Sequence, residues 1–327
     1  MRATLGAIGR VRNCFRLWRS GLSYMANTIL AEIDTGSTGA IGAYYLDTAA
    51  ELSKIDRKNH TQTKRDGTAK VYDLLVHLTT DASTTVEFAA YTAPNNWQTA
   101  NAVKQAKKLR DKLWRDSGVK PGMIGTYAKE LRFNLDSVQR GIAYSPAASG
   151  GNANERIYAH EEVRPNTASV FTGGTWDYSE LATHLDTGFN LNLVGGHSGT
   201  DPTAYTYIGV IKAYNQARQT VQAESPITGD LVDTDSPFMQ VTAKTDTVDE
   251  ILDHVDVYGD APPYDRTIDG DAIEPHCAAF GVLNNQSGLN TSFRIQVPLG
   301  LLMLKVGNAN ANSDLAVRVE CLCTYEM

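Results

Sequence analysis

The sequence predicts an all-β protein, a sandwich or barrel into which two helices are inserted. Three observations lead there. Short apolar or alternating runs follow one another with polar turns between them; after the N-terminal arm only two stretches carry helical periodicity; and no strand–helix–strand rhythm suggests a parallel sheet. A chain of 327 residues can bury a large core as one large or two modest domains. Its longest nearly apolar run, VPLGLLML, falls far short of the roughly 20 residues that a membrane-spanning helix needs.

The first 27 residues read as a basic amphipathic arm. Leu5, Ile8, Val11, Phe15, Trp18, Leu22 and Met25 recur at helical spacing, with Arg2, Arg10, Arg12, Arg16 and Arg19 between them and no acid. The rest of the chain is therefore more acidic than the overall net charge of −7. Such an arm suits an anionic membrane surface or nucleic-acid phosphates. It also fits an organellar transit peptide, and a start at Met25 would leave residues 1–24 untranslated.

Beyond the arm, ILAEID and IGAYYL are the first strand candidates. In AKVYDLLVHLTT, Tyr72, Leu74, Val76 and Leu78 alternate with Val71, Asp73, Leu75 and His77, giving a strand with one strongly apolar face. Further strands are expected at TVEFAAY (85–91), KELRFNL (129–135), RIYAHEEV (156–163), GFNLNLV (188–194), YTYIGVIKAY (205–214), PFMQVTA (237–243), CAAFGVL (277–283), TSFRIQV (291–297), LLMLKV (301–306) and LAVRVECLCTY (315–325). The first helix opens at Asn95 or Asn96, carries Val103, Ala106, Leu109 and Leu113 as its apolar stripe, and stops at Gly118. Lys104, Lys107, Lys108, Lys112 and Arg115 mark its outer face as a solvated basic surface. The second, TDTVDEILDHVDVYG, is acidic and stops at Gly259.

Candidate sites are few. LNLVGGHSGT resembles the start of a hydrolase elbow, but Thr200 stands where G-x-S-x-G needs glycine, so GGHSG reads as a turn between strands and Ser198 as no nucleophile. Asp265, Asp269 and Asp271 cluster around Gly270 without EF-hand spacing. Cys14, Cys277, Cys321 and Cys323 have neither disulfide-scaffold nor zinc spacing; they read as buried thiols, with Cys321 and Cys323 on one strand face, suited to a reducing environment. No Walker loop, G-x-G-x-x-G or H-E-x-x-H occurs, so no catalytic residue, metal site or cofactor is expected.

Three stretches carry a resemblance. YTAPNNWQTANAVKQAKKLRDKLWRDSGV is similar to the helix-bearing loop of jelly-roll major capsid proteins; TSFRIQVPLGLLMLKV looks like their late strand pair, and LAVRVECLCTYEM like their closing strand. The group it most resembles is the double jelly-roll major capsid proteins of small icosahedral single-stranded-DNA bacterial viruses, the finnlakevirus-like group. The resemblance implies a non-enzymatic virion protein made in the host cytoplasm. It would form homotrimeric capsomers joined by lattice contacts, with minor capsid proteins as further partners and the arm arginines meeting DNA or an internal membrane. It divides the chain into a first jelly roll over 28–203, with its helical insertion near 95–118, and a second over 204–327, with one near 246–258. The strand candidates fall short of two eight-stranded barrels, which keeps open a single jelly roll with large inserted loops. The alternative function is a carbohydrate-binding or glycoside-hydrolysing β-sandwich. Glu161 and Glu162 are its one carboxylate pair to test, and Trp97, Trp176, Tyr178 and Tyr264 its candidate sugar platforms.

Overall fold

A computed structural model of the chain describes residues 27–34, 41–80, 85–142, 144, 154–162, 169–170, 176–182, 188–199, 205–219, 267–268, 272–284, 286–308 and 314–327. The strands are β1 (Thr28–Asp34), β2 (Ile41–Asp47), β3 (Lys70–Thr80), β4 (Val86–Thr92), β5 (Asn154–Arg156), β6 (His160–Glu162), β7 (Ser169–Val170), β8 (Glu180–Ala182), β9 (Gly188–Asn192), β10 (Tyr207–Gly209), β11 (Thr267–Ile268), β12 (Ala272–Ile273), β13 (His276–Leu283), β14 (Asn290–Pro298), β15 (Leu301–Asn308) and β16 (Asp314–Glu326). The α-helices are α1 (Thr48–Asp56), α2 (Trp97–Asp116), α3 (Ser137–Gly141) and α4 (Val210–Gln219). Among the described residues no helix is long and apolar enough to cross a membrane.

The eight long strands form two facing sheets, which makes the core a β-sandwich. One sheet has the order β1-β16-β3-β14 and the other β13-β4-β15-β2-β5. Every contact is antiparallel except the short parallel pairing of β2 with β5. Pleating explains the core: Tyr72, Leu74, Val76 and Leu78 of β3 meet Leu302, Leu304 and Val306 of β15 and Val86, Phe88 and Ala90 of β4. The opposite face of the five-stranded sheet is buried too. Ala43, Tyr45, Leu301 and Met303 pack there against Val103 and Ala106 of α2, Val210 and Ile211 of α4, and Leu131, Phe133 and Leu135. A sheet covered on both faces requires unbroken apolar strands, which is why PLGLLML has no polar alternation.

Strands from both sides of position 203/204 alternate within each sheet, so that boundary does not separate two sets of sheets. Thr92 of β4 and His276 of β13 are register partners, and of the described residues between them only β5 returns to the two sheets, as a short edge strand on β2. The long excursion between them carries α2, α3, α4, the small sheet β10-β9-β8 and two two-stranded ribbons, β6-β7 and β11-β12.

Helix α2 follows the sequence closely at its ends. The Asn96 side chain accepts from the Thr99 amide at 3.0 Å, and Gly118 takes a left-handed φ of 75°. Its buried face is rotated from the expected stripe: Leu109 is exposed while Arg110 is buried. Three expected strands differ. The one at 156–163 is broken: Arg156 ends β5 and His160 opens β6, with Ile157, Tyr158 and Ala159 in neither. In 129–135, Leu131, Phe133 and Leu135 are buried alternately, yet Asn134 makes only an isolated bridge to Asn192. Side chains take the place of a neighbouring strand: Gln62 bonds both the amide and the carbonyl of Phe133, and Thr63 those of Leu131. In 205–214, only Tyr207–Gly209 is strand; from Val210 the chain is helical, because packing on α2 overrides the β preference of its Val, Ile and Tyr. The expected strand at 237–243 and the acidic helix near 246–258 lie outside the described residues.

Candidate functional site

Arg110 is the residue around which a concave surface is built. Only 3% exposed, it donates from Nη1 to the carbonyls of Ala128 (3.1 Å) and Glu130 (2.9 Å) and from Nη2 to that of Lys129 (2.7 Å). A planar fork suits three converging carbonyls, and it pins segment 120–130 against the helix. The guanidinium also stacks on Trp114, 4.2 Å from the ring centroid. Between helix and segment lies a cleft of about 360 Å³ lined by Arg65, Lys107, Arg110, Asp111, Trp114, Arg115, Val119, Pro121, Ile124 and Lys129. Asp111, the single acid, pairs with Lys107, and Arg110 Nε lies 3.7 Å from it, beyond hydrogen-bond reach. Burial lowers the Arg110 pKa, opposed by Asp111. Of the basic helical face expected from sequence, only Lys107 and Arg115 line this cleft; Lys104, Lys108 and Lys112 do not.

A second cluster joins the sandwich to the excursion. Asp47 ends β2 and caps α1, its Oδ1 accepting from the Ala50 amide at 3.1 Å. Its Oδ2 accepts from Gln62 Nε2 (2.9 Å), Trp176 Nε1 (3.0 Å) and the Tyr178 hydroxyl (3.2 Å). One turn on, buried Glu51 accepts from Lys54 Nζ (2.7 Å), the Tyr144 hydroxyl (2.9 Å) and the Ala159 amide (2.7 Å). Arg156 closes the cluster on the Tyr178 hydroxyl at 2.6 Å and on the carbonyls of Ile142 and Gln139. Burial lifts the Asp47 pKa to about 6, with the Ala50 amide and Arg156 pulling it down. Burial likewise drives Tyr178 well above the usual phenol range. These carboxylates, hydroxyls and the Arg156 guanidinium bond one another, so the cluster acts as a joint between the sandwich and the excursion.

No family model, characterised protein or solved structure matches the chain.

The remaining sequence candidates are dispersed. Arg2, Arg10, Arg12, Arg16 and Arg19 lie outside the described residues, as do Tyr264, Asp265, Asp269 and Asp271 and the side chains of Glu161 and Glu162 on β6. Ser198 is locked in a turn: its Oγ accepts from the Thr206 (2.7 Å) and Tyr207 (3.2 Å) amides and donates to the Tyr207 carbonyl. His197 accepts from the Gly209 amide and meets Gln216 at 2.9 Å. Trp176 is buried on Asp47, whereas Trp97 is exposed with its edge near Tyr214. His77 stands on the outer face of β3, 3.9 Å from Glu320. The cysteine expectation is corrected twice: a bulge at Leu322 sets Cys321 opposite Leu74 and Cys323 opposite Asp73, adjacent residues on opposite faces of β3, and Cys323 is disulfide-bonded, whereas Cys277 and Cys321 are free thiols. Burial raises the Cys321 thiol to about 11. Among the described residues no group of three or more His, Cys, Asp or Glu could hold a metal ion.

Sequence reasoning missed Arg110, Trp114 and Asp47. Arg110 left a signal, an arginine in phase with Val103 and Ala106 on the apolar stripe. Asp47 left none, because a carboxylate before a helix reads simply as a cap.

Proposed function

We propose that the chain is a viral major capsid protein, a subunit that self-assembles into an icosahedral shell around a small DNA genome. The observation that carries the reading is the order of the strands. Taken along the chain, β1, β3, β14 and β16 fall in one sheet and β2, β4, β13 and β15 in the other, with antiparallel neighbours throughout. We read that order as the wiring of one eight-stranded jelly roll, a fold common in viral coats and also in lectins. In this proposal the long excursion is an enlarged loop between the fourth and fifth strands. The division into two barrels at 203/204 is therefore set aside for a single jelly roll.

The open side of the sandwich supports lateral assembly. Among the described residues β13 and β14 are the outermost strands of their sheets there, and on β13 Phe280 is 83% exposed, with Val282, two residues on, also exposed. An unpaired edge carrying apolar side chains favours contact with another copy. The trimeric capsomer and the contact of the arm arginines with DNA or membrane belong to the same proposal.

Size-exclusion chromatography with light scattering, followed by negative-stain microscopy, tests it. Trimers, hexagonal sheets or closed shells are expected. A monomer at every concentration and salt level would overturn the reading in favour of a carbohydrate-binding sandwich, to be followed on a glycan array.

A further inference from the structure

We infer that the cleft between α2 and segment 119–129 binds a nucleotide unit, phosphate to its cationic rim and base against its apolar wall. The charge balance is one-sided. Of the five cations lining it, Lys107 is committed to Asp111 and Arg110 to backbone carbonyls. Among the described residues Arg65, Arg115 and Lys129 make no ion pair, and all three face the same opening. Three uncompensated cations around one concavity form a trap for a doubly or multiply charged anion.

The wall is apolar rather than polar, which selects among anions. Trp114, Val119, Pro121 and Ile124 supply it, and Trp114 is held in place by the Arg110 guanidinium. An inorganic anion has no use for such a wall, whereas a base stacks on an aromatic ring while its phosphate meets the cations. The volume, about 360 Å³, is at the scale of a single small ligand. The nucleotide can be free or part of a single strand, since both present the same chemistry. The site is separate from the sandwich edges and stands whether or not the chain assembles.

The test uses the full chain and three variants: Arg65→Ala/Arg115→Ala/Lys129→Ala in the cleft, Trp114→Leu in its wall, and Arg2, Arg10, Arg12, Arg16 and Arg19→Ala in the arm. Binding of fluorescein-labelled dT12 is followed by anisotropy from about 50 to 300 mM salt, with unlabelled dTMP and inorganic tripolyphosphate as competitors. The cleft variant should lose at least tenfold in affinity, and its salt slope should fall by about 2, at roughly 0.7 per phosphate contact on a single strand. Trp114→Leu should lose about tenfold with little change of slope. Competition by dTMP near the dT12 concentration identifies a free nucleotide as the ligand; weak competition identifies a single strand. Tripolyphosphate competing as well as dT12, or wild-type affinity in both the cleft and Trp114→Leu variants while the arm variant alone loses binding, would overturn the inference. Unchanged circular dichroism and melting temperature show that these variants fold.

Discussion

Two buried polar residues set the most specific expectations for single side chains. Asp47 is held at about 6 in the folded chain, against about 4 for an unfolded aspartate. Between those values the folded chain keeps a proton that the unfolded chain has released, so the stability linked to Asp47 is greatest near pH 4 and declines as pH rises through 6. Two units at about 1.4 kcal/mol each put the decline at about 3 kcal/mol. Urea unfolding of wild type and Asp47→Asn between pH 4 and 7.5 should show the wild type losing ground to the variant, and parallel profiles would refute the assignment. Arg110 is the second case. Lysine in its place cannot satisfy three carbonyls in a fork or stack on Trp114, so Arg110→Lys should cost about 1–3 kcal/mol in denaturant unfolding despite conserving the charge.

At the scale of elements, the turn from β14 to β15 shows how little freedom the crossing between sheets allows. Leu299 and Gly300 have φ of 56° and 74°, and the Gly300 carbonyl accepts from the Thr48 amide at 2.8 Å, tying the crossing to the start of α1. A Cβ on Gly300 would sit 3.1 Å from both Thr48 Cβ and Tyr72 Cδ2. Gly300→Ala should therefore lower stability by about 1–2 kcal/mol or more, read as a drop in melting temperature. The long strands and α2 were legible in the sequence because each combines a strong period with recognisable ends. Asn96 and Gly118 bracket α2, and alternation in β3 separates Tyr72 and Leu74 from Asp73 and Leu75. Where tertiary partners decide, the sequence was silent or misleading: 129–135 alternates like a strand but is bonded by Gln62 and Thr63, and Val210–Tyr214 has strand residues in a helix. The cleft was half legible, since Lys107, Arg110 and Arg115 stand out on α2 while Arg65, Lys129 and segment 119–129, which closes it, carry no periodic signal.

For the whole molecule, the sandwich edge and the excursion make opposite demands. The edge is finished without Phe280, whose side chain touches solvent, so Phe280→Asp should leave the unfolding free energy within about 0.5 kcal/mol of wild type while reducing the oligomers seen by light scattering. Wild-type oligomers in that variant would remove β13 from the assembly surface. The excursion, in contrast, cannot be trimmed away, because it covers Tyr45, Leu301 and Met303 on the five-stranded sheet. The interleaving of early and late strands also has a bearing on biosynthesis. None of β1, β2, β3 and β4 hydrogen-bonds to another of the four; the partners of β1, β3 and β4 are all drawn from β13 to β16, and β2 adds only the three-residue β5. At roughly 5–20 residues per second on the ribosome, four aggregation-prone segments wait on the order of ten seconds or more for their partners. Until the last strand emerges the early strands have no sheet to join, and a chain truncated before β13 lacks every long-strand partner of β1, β2, β3 and β4.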